Sequence, residues 1–183
     1  HAGEQCHQQP AEGLDGDAVV LTMDPGLAFG TGTHATTALC LEWLAMQPLA
    51  GKSVVDYGCG SGILGIAALL LGAGQVTAVD HDPQALRATR DNALKNGVEE
   101  RLRVIGSDGP ATETADIVVA NILATTLVEL AGPVTACVRP GGDIVLSGIL
   151  RGQAASVADA YRVAFDLDDP AEQDDWVLLH GIR

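Results

Sequence analysis

The chain has 183 residues, 47% of them hydrophobic, a formal net charge of −14 and a mean hydropathy of +0.21. That length suits one well-buried domain and is short for two. Lys and Arg are absent before Lys52, and six acidic residues crowd between Asp166 and Asp175. Direct binding to nucleic acid is therefore disfavoured, because neutralising phosphates needs a basic surface. An acidic face attracts a basic protein or an amine instead, although simple solubility explains the same charge run equally well.

Aromatics make up only 3% of the chain, while small and aliphatic residues and 22 glycines dominate. This composition suits helices packed closely on a parallel sheet, an α/β protein. Cys6, Cys40, Cys59 and Cys137 are scattered, with no CxxC pair or Cys/His spacing typical of zinc. A reduced, cytoplasmic chain with no metal is expected.

In chain order, residues 1–17 are polar and aperiodic and read as a linker or ragged end, which leaves residues 18–183 as the folded domain. "AVVLTM" reads as a short strand. After it comes "DPGLAFGTGTH", residues Asp24 to His34, in which Gly26, Gly30 and Gly32 rule out regular structure. Helical spacing of Leu41, Leu44 and Trp43 predicts a helix from Thr36 to Met46.

Strand and helix then alternate: "SVVDY", Ile63 to Leu71, "QVTAVD", and Pro83 to Asn96 with proline in the first turn and Gly97 at the end. "RLRVIG" and "ADIVVAN" are the next strands, Leu123 to Val138 is mostly helix, "GDIVLSG" is a strand, Gln153 to Phe165 a helix, and "DWVLLHGI" closes the chain. No charge falls between Tyr57 and Val79, but Gly72 and Gly74 divide that apolar run, so it reads as core and not as a membrane span. Nor does the N-terminus look like a signal peptide. Repeated strand–helix–strand units give a doubly wound sheet with right-handed crossovers, and ligands on such sheets bind beyond the carboxyl ends of the strands.

"VVDYGCGSG" is the most informative stretch. A buried strand delivers Asp56, and Gly58, Gly60 and Gly62 let the backbone approach a ligand where side chains would collide. Asp80 ends the next strand, 22 residues after Gly58, where a carboxylate can accept from both hydroxyls of a ribose. Ile63 stands where the dinucleotide motif needs its third glycine. A nucleoside without a pyrophosphate fits better than a nicotinamide dinucleotide, and Asp56 with Asp80 suits a cationic one such as S-adenosylmethionine.

With these features the sequence resembles the class I S-adenosylmethionine-dependent methyltransferases. More narrowly, "DPGLAFGTGTHATTALCLEWL", "DYGCGSGILGIAAL", "VDHDPQALRATRDNALKNGV", "ADIVVANILA" and "GGDIVLSGIL" resemble the ribosomal protein L11 lysine methyltransferase family, PrmA, over roughly residues 20 to 183. The resemblance implies a mostly parallel seven-stranded sheet with an antiparallel last strand, carrying the catalytic domain on residues 18–183. It implies a protein N-methyltransferase acting on lysine side chains, and on the N-terminal amine, of a basic large-subunit ribosomal protein, with S-adenosylhomocysteine as product. The alternative is a methyltransferase-like domain that binds S-adenosylmethionine and acts on a different protein or a small molecule.

Carried over residue by residue, the cofactor contacts fall on Thr37, Gly58, Asp80 and Asn121, with Asp56, Gly60 and Phe29 beside them. Asn121 is also the expected catalytic residue, its amide holding the amine near the transferring methyl. Ser107 and Asp108 are weaker candidates for the adenine edge, and His34 either lines the pocket or serves as a cap. "HATTA" stands where the family usually has HPTTA, Tyr57 replaces a common Phe and Gly65 sits where Ala is usual. Only about twenty residues precede the matching region, whereas the family carries an N-terminal domain that grips the substrate. A catalytic-domain piece of a longer chain is the expectation.

Overall fold

The computed structural model describes residues 19–23, 34–108 and 113–183. Five strands lie parallel to one another: β1 (Ser53–Tyr57), β2 (Gln75–Asp80), β3 (Leu102–Gly106), β4 (Ala115–Asn121) and β5 (Val138–Leu150). Three more, β6 (Asp166–Leu167), β7 (Ala171–Gln173) and β8 (Trp176–Ile182), close the chain. The sheet runs β3-β2-β1-β4-β5-β8-β6, with β7 paired beside β6 along β8. As the resemblance implies, the last strand is antiparallel, wedged between β5 and the short edge strands.

Successive side chains of a strand point to opposite faces, and both faces of this sheet are covered. Val54, Val76, Ile117 and Val145 face one core with Leu44 of α1 (Ala35–Ala45) and Ile66 and Leu69 of α2 (Ile63–Leu70), alongside α3 (Pro83–Lys95). Their neighbours Val55, Val118 and Ile144 face the other, with Leu127 of α4 (Ala124–Glu129), Val134 of α5 (Ala131–Ala136) and Tyr161 of α6 (Ala154–Tyr161). Each fully buried aliphatic side chain contributes about 1.5–3 kcal/mol relative to exposure. The Tyr161 hydroxyl satisfies itself by donating to Leu127 O at 2.9 Å.

Three expectations need revision. Residues 19–23 of the expected first strand belong to no strand. Thr22 N donates to Asn96 Oδ1 at 2.9 Å and Asn96 Nδ2 donates to Thr22 O at 2.7 Å, so a side chain occupies the groups a neighbouring strand would have used. The helix expected over 123–138 breaks at Leu130 into α4 and α5. Pro133 cannot donate to Glu129 and its ring crowds that carbonyl. β5 starts before Gly142, with Val138 opposite Ala115 and a bulge before Asp143 pairs with the chain again at Ile117. The acidic stretch 166–175 holds β6 and β7, whose outer edge leaves charged side chains in water.

At the amino ends of β1 and β4, Asp116 works as a staple. Ser53 N and Oγ both donate to its Oδ2 at 2.8 Å, and Arg139 Nε donates to Oδ1 at 2.6 Å. The Ser53 backbone donor, with the Ser53 hydroxyl and the Arg139 guanidinium, holds the carboxyl down to about 2. The staple sets the register in which Asp56 lies beside Val119, bringing the carboxyl ends of β1 and β4 to one level. No helix among the described residues is long and apolar enough to cross a membrane.

Candidate active site

β1 sits at the centre of the parallel strands, between β2 and β4, where the strand order changes direction. Beyond its carboxyl end the chain turns through Gly58–Gly62 into α2. Gly58 N and Cys59 N both donate to Val79 O, at 2.7 and 3.0 Å, which folds the loop across the end of β2. Gly58 has φ +76, and a Cβ added there would run into the Ile122 side chain. Both conditions demand glycine.

Asp80, 8% exposed, is fixed by two backbone donors: Gly60 N reaches Oδ2 at 2.9 Å and Asp82 N reaches Oδ1 at 3.0 Å. A carboxylate has about four lone-pair sites, so one bond to each oxygen leaves acceptor capacity for two hydroxyls of a ligand. Asp82 itself caps α3, accepting from Gln84 N at 2.8 Å. Ser107 N donates to Asp80 O at 2.9 Å, which puts Ser107 and Asp108 at the adjoining strand end.

Asp56, expected beside the cofactor, lies under the start of α2. It is 1% exposed, and its Oδ2 accepts from Gly65 N at 2.9 Å in the first turn of α2. The carboxylate thus satisfies an otherwise orphaned helix donor from beneath the loop. Gly65 fits this arrangement, since a Cβ there would lie 3.2 Å from Asp56 Oδ2 and 2.9 Å from Val76 Cγ1.

Burial pushes the Asp56 carboxyl up from 3.8 to about 7, against the opposing pull of the Gly65 bond. A raised carboxyl pKa contributes stability that is fully present below the unfolded value and is lost as pH rises through the folded one. For Asp56 that window runs from about pH 4 to about pH 7. Asp56→Asn keeps an acceptor for Gly65 N without a titrating proton, so melting temperatures between pH 5 and about pH 8 should fall less steeply in the variant. An unchanged pH dependence would refute the assignment.

The other wall comes from α1 and β4. Asn121 Nδ2 donates to Thr37 Oγ1 at 3.3 Å, joining residues 84 apart in sequence. That bond uses the nitrogen end of the amide and leaves Oδ1 as the acceptor end. Thr37 is held by its helix: Ser147 Oγ, at the β5 position opposite Asn121, donates to the carbonyl of neighbouring Thr36 at 3.2 Å. His34 caps α1, accepting from Thr36 N at 3.3 Å through Nδ1, and stacks edge-on against Trp176 with ring centroids 4.9 Å apart. Ile122 follows Asn121 and packs against both Gly58 and Gly148, so the two walls meet at one turn.

The expected residues Thr37, Asn121, Gly58, Gly60 and Asp80 therefore gather across the ends of β1, β2 and β4. Phe29 and the rest of Asp24–Thr33 lie outside the described residues. Sequence reasoning missed Ser147, Ile122, Thr89 and Asn92. Thr89 and Asn92 sit on the buried face of α3, and their only signal was polar residues recurring at the spacing of Ala85 and Ala93. Burial pushes the Cys40 thiol up to about 12 and the Cys59 thiol higher still, so neither is a thiolate nucleophile.

The fold, with its glycine loop, strand-end acid and Asn-bearing turn, is that of the class I S-adenosylmethionine-dependent methyltransferases. A precorrin-6y C5,15-methyltransferase from Geobacter metallireducens shares it at a TM-score of 0.62 and 20% identity, covering 80% of this chain and 86% of that one. The family described as Ribosomal protein L11 methyltransferase (PrmA) matches residues 5–183, and the chain belongs to it. Ribosomal protein L11 methyltransferases of Marinobacter nauticus and Alkalilimnicola ehrlichii are 58% and 59% identical to it, over 94% and 91% of this chain. The chain spans 58% and 57% of the length of those two relatives. The crystal structure of a ribosomal protein L11 methylase from Lactobacillus delbrueckii subsp. bulgaricus superposes with a TM-score of 0.83 at 30% identity, covering 94% of this chain and 90% of that one.

Proposed function

We propose that this chain binds S-adenosylmethionine at the ends of β1, β2 and β4 and transfers its methyl group to lysine amines, and to the N-terminal amine, of ribosomal protein L11. The donor set suits that cofactor: Asp80 presents acceptors for two ribose hydroxyls, and Thr37 and Gly58 offer a hydroxyl and bare backbone for the methionine end. When bound, S-adenosylmethionine supplies a methyl group already activated by a sulfonium. The remaining work is positioning and exclusion of water, for which no protein nucleophile is required.

The observation that carries the proposal is the Asn121–Thr37 bond. By occupying Nδ2 it turns an acceptor, Oδ1, toward an incoming amine, whose N–H groups need acceptors while its lone pair points at carbon. A lysine amine is almost fully protonated at neutral pH and must first lose a proton. No group of the chain is needed to keep that proton, which leaves to solvent. Residues 18–183 form the catalytic domain in this reading, working in the cytoplasm where ribosomal proteins are made. The acidic surface favours approach of a basic protein.

Transfer of labelled methyl from S-adenosylmethionine to purified ribosomal protein L11 tests the proposal, with this chain alone and within the full-length protein. Label recovered as N-methyl lysine is the expected result. Cofactor binding without label on L11 in either form would refute the substrate.

A further inference from the structure

We infer that Thr89 of α3 is a positioning residue for Asp80, acting through Gly60; the inference rests on the reading of Asp80 as the ribose acceptor. Gly60 has φ +55 and no side chain to hold it. It is gripped instead on both sides of its Cα. Its N–H donates to Asp80 Oδ2 at 2.9 Å, and its carbonyl accepts from Thr89 Oγ1 at 3.1 Å.

Those two bonds fix the two torsions of the most permissive residue type. The following carbonyl is held from the same helix, where Asn92 Nδ2 donates to Ser61 O at 2.9 Å. Thr89 is fully buried, lies 3.4 Å from Cys59 Sγ through its hydroxyl, and would be 2.8 Å from a Cβ at Gly62 through its methyl. It therefore reaches the loop from behind. Without its hydroxyl the Gly60 carbonyl loses a buried donor, the loop relaxes toward other polar partners, and the Gly60 N–H swings off Oδ2. Asp80 then keeps one of its two backbone anchors, and its acceptors turn away from the ribose.

Calorimetric titration with S-adenosylhomocysteine tests this on the wild type, Thr89→Val, Thr89→Ser, Asp80→Asn and the Thr89→Val/Asp80→Asn double variant. Thr89→Val conserves volume and should weaken binding about fivefold to tenfold, the effect of one lost hydrogen bond. Thr89→Ser should restore affinity to within about twofold, because it keeps the donor. In the Asp80→Asn background Thr89→Val should add almost nothing, since residues that act through one another are not additive.

Thr89→Ala, with a smaller side chain, repeats the test should Thr89→Val not fold. Wild-type affinity in the hydroxyl-deleting variant, or an equal loss with and without Asp80, would overturn the inference and leave the cofactor assignment standing. Absence of binding by the wild type would overturn the cofactor assignment itself, and the inference with it.

Discussion

Asn121→Ala is expected to lower methyl transfer by roughly 100-fold or more, the usual effect of deleting a group that orients a reacting centre. Cofactor affinity should fall far less, because Asp80 and the glycine loop are fixed independently of the Asn121 amide. Asn121→Asp separates orientation from charge. It keeps an oxygen acceptor, loses the donation to Thr37, and places a negative charge beside the amine. A neighbouring opposite charge favours the protonated amine, so the rising limb of the pH–rate profile should move to higher pH. Single-turnover rates and cofactor titration together check both variants. Normal turnover in Asn121→Ala would sink the role.

The second large effect belongs to Gly58→Ala. The substitution forces a side chain into φ +76 and drives its Cβ into Ile122. Left-handed backbone costs an L-residue about 1–2 kcal/mol and overpacking about 1–3 kcal/mol. A total of about 2–5 kcal/mol is a large share of the roughly 5–15 kcal/mol that holds a domain together. Function should suffer more than stability, because the displaced Ile122 is bonded in sequence to Asn121. Adding Ile122→Ala should recover the part of the melting temperature lost to the collision, but not the part lost to the backbone. A Gly58→Ala protein with wild-type melting temperature and turnover would contradict the packing described for this turn.

Much of the central sheet was legible because its strands are buried on both sides and read as apolar runs broken by glycine. The loop after β1 and the acid ending β2 could be read from "VVDYGCGSG" and "AVD", since both halves of that pattern are local. Thr37 and Asn121 were found only through family resemblance; nothing in their spacing shows that residues so far apart share a hydrogen bond. Sequence reads Asp56 as a cofactor contact and does not show that Gly65 N donates to one of its oxygens. Thr89 and Asn92 escaped notice for a different reason. α3 is polar over most of its length, so two more polar residues carry no signal until the helix phase decides which ones turn inward. The edge strands β6 and β7 were hidden by their own exposure, with no alternation of apolar and polar residues to betray them.

That exposed edge bears on what a second copy of the chain would encounter there. Among the described residues no strand pairs with β7 on the side away from β8, the kind of rim onto which another chain can add a strand. Here the rim and its turns carry Asp166, Asp168, Asp169, Glu172, Asp174 and Asp175, of which Glu172 is met by Arg151 and Asp168 by the His180 ring. Two such rims approaching one another would confront carboxylates with carboxylates. The same residues that give the chain its acidity would thus work as a fence, their mutual repulsion opposing growth of the sheet by strand addition from a second copy.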